Sequence, residues 1–312
     1  MTNFYGQYIG FGAGVSGAAA AFRGDRGVFG GGYNKNEIDY VAISVLGNAV
    51  DFGNLSNTSG YTSACSSGSK GIWSIAPSYT STDTLDYVTI ASTGDAADWG
   101  NLTITRTTMG ACSNGIRGLW SAGTGTSGNQ DVIDYIVLAT TGDALDFGDM
   151  SVARSYLGAC SDGTKGVFGG GEAHSGGADL NEIDYVNIAS IGNATDFGNL
   201  TVARNSSYGS SSNGVRGIWC NGVGPPGNTV KNVIDYVTIA SLGDASDFGD
   251  MTGAAYNTSS CANDTRACIG KGLAGASRLN VIEYIQFDSP ANSVDFGDLT
   301  VARDICGALS GT

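Results

Sequence analysis

Hydrophobic and polar positions alternate in short runs along this chain, and the runs recur. Near its middle, a small-residue run (Leu157-Gly158-Ala159-Cys160) meets a polar turn (Ser161-Asp162-Gly163-Thr164). Then comes Lys165-Gly166-Val167-Phe168, which ends in three glycines. Two short runs around an Asx/Gly turn predict a hairpin. After a loop, Glu182-Ile183-Asp184-Tyr185-Val186-Asn187-Ile188 puts Ile183 and Tyr185 on one face of an extended chain and Asp184, Val186 and Ile188 on the other. That pattern, rich in β-branched and aromatic residues, predicts a third strand. The turn Ile191-Gly192-Asn193-Ala194 leads to a short fourth, Thr195-Asp196-Phe197.

The same order returns six times. The third strand carries Asp39-Tyr40, Asp86-Tyr87, Asp134-Tyr135, Asp184-Tyr185, Asp235-Tyr236 and Glu283-Tyr284. The fourth carries Asp51-Phe52, Asp98-Trp99, Asp146-Phe147, Asp196-Phe197, Asp247-Phe248 and Asp295-Phe296, each followed by glycine. Successive acid-Tyr pairs are 47, 48, 50, 51 and 48 residues apart, and each acid stands twelve residues before the next Asp-Phe/Trp-Gly. A period of this size marks a repeat architecture. A four-stranded unit this small cannot bury both faces alone, so it stacks on its neighbours.

This order of features resembles the kelch-type β-propeller. The matching residues are the double glycines Gly30-Gly31 and Gly169-Gly170 after the second strand, the six tyrosines on the third, the six aromatics on the fourth, and Arg106, Arg154, Arg204 and Arg303 leading into the next blade. Two departures stand out: the tyrosine-to-aromatic gap is longer than that family's, and the double glycine is lost at Trp73-Ser74 and Trp120-Ser121. The resemblance implies an all-β fold, a six-bladed kelch-like β-propeller of four-stranded blades, within the range known for propellers. The phrasing of the repeats is most similar to repeat proteins encoded by tailed bacteriophages, over nearly the whole chain.

Residues 17–312 read as one propeller and residues 1–16 as a glycine-rich arm free to dock on another subunit. Ring closure stays open. The small-residue first strand occurs seven times for six blades, at 17–22 and again at 303–309. Either the C-terminal copy completes the first blade, or the N-terminal copy keeps its place and the C-terminus becomes an arm. Arg303, which the N-terminal copy lacks, favours the first arrangement.

Composition narrows the function. The 312 residues include 50 glycines and 4 prolines, only 14% are charged, and the net charge is −14. Without a basic stripe to neutralise phosphates, nucleic acid is excluded as a partner. The N-terminus lacks a secretory signal and no segment is long enough for a membrane-spanning helix, which predicts synthesis in a host cytoplasm without membrane insertion. Cys65, Cys112, Cys160 and Cys261 share one repeat position with Ala21 and a serine, as small core residues do and a disulfide framework does not. Cys261 and Cys268 could nevertheless face each other across a hairpin.

Candidate chemistry is sparse. Gly12 to Gly17 fits G-x-G-x-x-G but lacks the flanking strand, helix and acid of a dinucleotide site. Asp-Phe-Gly is spelled like the kinase metal motif, yet it appears five times and once more as Asp-Trp-Gly without a catalytic loop, so its aspartates are expected to bond the turn backbone. Trp73, Trp120 and Trp219 align with Phe29 and Phe168, which assigns them to the core and not to a sugar platform. The single histidine, His174, leaves no His-based metal site. Carboxylates from adjacent blades could still meet in the channel and bind Ca²⁺. No catalytic residue, cofactor or metal is expected, and the chain is read as no enzyme.

What varies between repeats is the connection between second and third strands, and these loops emerge on one face of the disc. Tyr79, His174, Asn228 and Lys231 are the candidate binding side chains there, although surface loops also vary without any function. The expected function is a phage virion structural protein, decorating the particle or heading a fibre, that contacts other virion proteins and a host-surface glycan or protein. A free lectin-like propeller is the alternative, and a hydrolase or lyase has least support.

Overall fold

The computed structural model describes residues 23–77, 80–173 and 177–312. The arm 1–16, the strand copy 17–22, Tyr79 and His174 lie outside the described residues. Every element described is a β-strand. Six four-stranded antiparallel sheets form a six-bladed β-propeller.

Blade 1 consists of Gly307–Gly311, Arg26–Gly30, Lys35–Ala42 and Val50–Ser59, from the axis outward. In the same order blade 2 is Ala64–Ser66, Lys70–Ser74, Thr82–Thr89 and Ala97–Thr107, and blade 3 is Gly110–Ser113, Arg117–Ser121, Val132–Val137 and Leu145–Asp149. Blade 4 is Gly158–Ser161, Lys165–Gly169, Glu182–Asn187 and Thr195–Asn199. Blade 5 is Gly209–Ser212, Arg216–Gly224, Thr229–Thr238 and Ser246–Asp250; blade 6 is Ser259–Ala262, Arg266–Gly270, Val281–Gln286 and Val294–Asp298. The chain's last strand thus lies innermost in its first blade, with Gly307 opposite Gly30 and Gly311 opposite Arg26.

Alternating strand directions give the disc two unlike faces. The turns joining first to second and third to fourth strands lie on one, the turn face. The loops joining second to third strands, and the connections to the next blade, lie on the other, the loop face. There the hairpin Thr124–Gly125/Gly128–Asn129 of blade 3 adds two strands to the sheet of blade 2.

The core is divided into six layers, one between each pair of neighbouring blades. Between blades 2 and 3, for example, Ile72, Leu85, Trp99 and Leu102 pack on Trp120, Ile136 and Leu138. Burying each sheet on both sides is what a single blade cannot do alone. Within every blade the third-strand tyrosine meets the fourth-strand aromatic edge to face, as in Tyr87 and Trp99 at 5.3 Å.

The acid beside that tyrosine also links neighbouring blades. A register shift before Asp134, repeated in all six blades, leaves one extra residue on the fourth strand, Phe147 in blade 3, while the acid itself stays paired. Asp134 there meets Arg106 of the preceding blade at 2.9 Å, with both side chains fully buried. The pairs Arg154–Asp184, Arg204–Asp235 and Arg303–Asp39 repeat this at 2.6, 2.8 and 3.0 Å. Where the arginine is replaced by the buried Ala255, the acid is Glu283, and Lys271 of its own blade supplies the cation at 2.7 Å. Burial alone would raise the carboxyl pKa of Glu283, but Lys271, Ser293 and Thr252 hold it below the usual carboxylate value. Where Ser59 stands in the arginine's place, Asp86 has no cation and its Oδ1 no hydrogen-bond partner.

Candidate functional site on the loop face

Six innermost strands, one from each blade, line the axis. Each innermost strand presents three positions in turn: Ala or Ser into the channel, Cys, Ser or Leu between blades, and Ser or Ala at the turn-face end. Ser113 Oγ donates to Ser66 O at 2.6 Å, tying one inner strand to the next. The lining leaves a void of about 80 Å³ towards the turn face and about 40 Å³ towards the loop face. That is room for a few waters and no more. Small Ala, Cys and Ser side chains dominate the walls and no carboxylate lies among them, so the Ca²⁺ site that acids converging on the channel would make does not form there. Among the described residues no three His, Cys, Asp or Glu side chains come together as metal ligands would.

Both mouths are narrowed by side chains or backbone. On the turn face Arg23 reaches in, its Nη1 donating to Ser161 O at 3.4 Å and its Nε lying 3.7 Å from Asp264. On the loop face one residue per blade takes a left-handed backbone just before the inner strand: Tyr61, Thr108, Tyr156, Ser206, Asn257 and Ile305, with φ of 55 to 60°. Their amides run round the mouth, Tyr156 N donating to Thr108 O and Ile305 N to Asn257 O, both at 3.0 Å.

Two members of that ring are tyrosines on non-adjacent blades. Tyr61 and Tyr156 meet edge to face at 5.8 Å above the axis, and Tyr156 meets Tyr208 at 6.2 Å. Tyr208 is an insertion: blade 5 has one residue more than the others between the left-handed position and the inner strand. Burial raises the phenol pKa of all three, so they stay neutral at any physiological pH. Beside them Tyr33 carries the guanidinium of Arg278 at 3.9 Å, and Arg278 Nε donates to Asp304 at 2.6 Å. Half-buried rings beside a carboxylate and a guanidinium can stack on a ring and accept or donate hydrogen bonds.

The residues singled out from the sequence are placed differently. Asn228 is exposed at the tip of the blade 5 hairpin, with φ of 53°. Lys231 folds back on that hairpin, donating to Pro225 O at 2.6 Å and Thr229 Oγ1 at 2.7 Å. The two share one hairpin and take no part in the axial cluster. Trp73, Trp120 and Trp219 are fully buried. The aspartates of Asp-Phe/Trp-Gly are exposed, and among the described bonds only Asp247 accepts a turn amide, that of Gly249 at 3.1 Å. The expected turn bonds are made instead one strand away. Asp95, Asp143 and Asp244 accept the amides of Asn54, Asn101 and Asn199 in the preceding blade, while Asn193, Asn292 and Asn48 accept those of Asp149, Asp250 and Asp298.

The tyrosine cluster was missed by sequence reasoning. A signal existed, because Tyr33, Tyr61, Tyr156 and Tyr208 all fall outside the acid-Tyr repeat position. Comparison with family models and with curated proteins gave no match.

Proposed function

We propose that the chain is a non-enzymatic structural protein of a tailed-phage particle, a kelch-like propeller at the virion surface that contacts the host through its loop face. The phage assignment rests on the phrasing of the repeats. The observation that carries the role is the contrast between faces: a narrow axis lined by small side chains suits a rigid platform better than a passage, and loop length and unrepeated tyrosines vary on one face only. Rigid scaffolds that concentrate their variation in loops are built to recognise partners. Antibody raised against the chain and followed on intact particles by electron microscopy tests the reading. Label at a fibre or tail tip supports host contact and label over the head supports decoration, whereas unlabelled particles would sink the virion role.

A second reading, a free carbohydrate-binding propeller, is favoured by the half-buried Tyr33, Tyr61 and Tyr156 beside Asp304. Aromatic faces with carboxylate acceptors suit saccharides. A glycan array probed with the whole chain decides it: hits lost in Tyr61→Ala support it, and an empty array rejects it.

A further inference from the structure

One cation of the loop face keeps donors in reserve. Among the described residues there, Lys231 folds back on its own hairpin, Lys35 faces Glu37 and Lys271 faces Glu283. Arg278 differs. It stands on the blade 6 hairpin Leu273–Ala274/Ser277–Arg278, where its Nε donates to Asp304 Oδ1 at 2.6 Å and its guanidinium lies 3.9 Å from the centre of the Tyr33 ring. Its side chain is 36% exposed, and Nη1 and Nη2 have no hydrogen-bond partner among the described residues. A guanidinium held along one edge and over one face is a fork already set in position for a bidentate acceptor.

The nearby carboxylate does not compete for that role. Asp304 is only 2% exposed, and its second oxygen accepts Asn257 Nδ2 at 3.3 Å, so it positions the arginine and does not face solvent. What the fork adjoins is aromatic. Burial does most to raise the Tyr61 pKa, and Tyr156, Asp304 and Tyr33 add to it, which sets the Tyr61 ring between the arginine's two supports and Tyr156. Tyr61 and Tyr156 then meet at 5.8 Å across the mouth of the axis. Open donors thus stand at one end of a row of half-buried rings.

We propose that this row binds an acidic saccharide, a sugar ring stacked on Tyr61 or Tyr156 with its carboxylate held by Nη1 and Nη2 of Arg278. Aromatic rings with a polar handle suit the apolar face of a sugar, and the planar fork matches a carboxylate through two parallel bonds. The inference rests on the carbohydrate-binding reading and narrows it to sugars that carry an acid. With a net charge of −14 the chain has no general attraction for anions, so binding of an acid reports a dedicated set of donors.

The test is a glycan array probed with the whole chain, each acidic glycan printed beside the same glycan with its carboxyl reduced to an alcohol. The expected result is binding to the acids about tenfold or more above their reduced partners, a comparison that needs no variant. Arg278→Lys keeps the charge opposite Asp304 but removes the fork, and Tyr61→Ala removes a stacking face. Each should lower binding about tenfold, with an unchanged melting temperature showing that the chain is folded. Equal binding to acids and reduced partners, lost in Tyr61→Ala, would overturn the inference and leave the carbohydrate reading standing. Acid binding that a folded Arg278→Lys chain retains in full would also overturn it, and an empty array would reject both.

Discussion

A single methyl group decides what can stand opposite Cys65. A Cβ on Gly118 would lie 2.6 Å from its sulfur, and Gly166, Gly217 and Gly27 face Cys112, Cys160 and Cys261 in the same way. At the one interface where the inner strand offers the smaller Ser211, the facing position is Ala267. Gly118→Ala should therefore cost about 1–3 kcal/mol by overpacking. Adding Cys65→Ser should recover part of that loss in denaturant unfolding; a double variant no better than the single would refute the size-matching account. The buried acids make a second contrast. Asp134→Asn leaves Arg106 buried without a counter-charge and should cost about 3–5 kcal/mol. Asp86 has no such partner, and burial raises its pKa. With the folded-state pKa above the unfolded one, its stabilising contribution is full at pH below the unfolded value and is lost as pH rises through the folded value. Asp86→Asn should thus leave the melting temperature at pH 7 unchanged or higher and remove that loss. A large destabilisation at pH 7 would contradict it. The repeat made both Arg106 and Asp134 conspicuous, but they are 28 residues apart on different blades, so only the fold shows that they meet.

At the scale of strands and turns, the alternation of small, apolar and polar positions was enough to place four strands in each repeat, because each strand buries both faces in the same way six times over. The twelve-residue spacing is that of two directly paired residues, and the bulge lies just outside it, where spacing does not show it. The contact between blades was less legible. Each fourth strand is latched to the next turn by a carboxylate on one side and an asparagine on the other, so that no two carboxylates face each other in any of the six latches. Asn193→Asp would put a second carboxylate against Asp149 and should destabilise by about 0.5–1 kcal/mol at low salt, less at high salt. Asp149→Asn should rescue it, and the absence of any salt dependence would show that charge plays no part. The axial tyrosines were illegible for another reason: Tyr61 and Tyr156 belong to blades 2 and 4 and become neighbours only when the ring closes.

For the whole molecule, closure depends on a strand that sequence left undecided, since seven copies of the inner strand are nearly interchangeable. The pairing of Gly307–Gly311 with Arg26–Gly30 makes the last strand a latch on the first blade. Deleting residues 307–312 leaves that blade without its inner strand and should abolish protease resistance and near-ultraviolet circular dichroism together; a resistant truncated chain would contradict this closure. The closed disc then presents two surfaces of opposite character, loops of varied length with unrepeated tyrosines on one and uniform turns on the other. On the proposed role the loop face looks outward and the turn face inward. A short epitope inserted at Gly227 of the loop-face hairpin, or at Ser289 of the turn face, can be followed with gold-conjugated antibody on intact particles. Gold on the Gly227 particles and none on the Ser289 particles is the predicted result. Equal labelling at both sites, or labelling at Ser289 alone, would contradict the account.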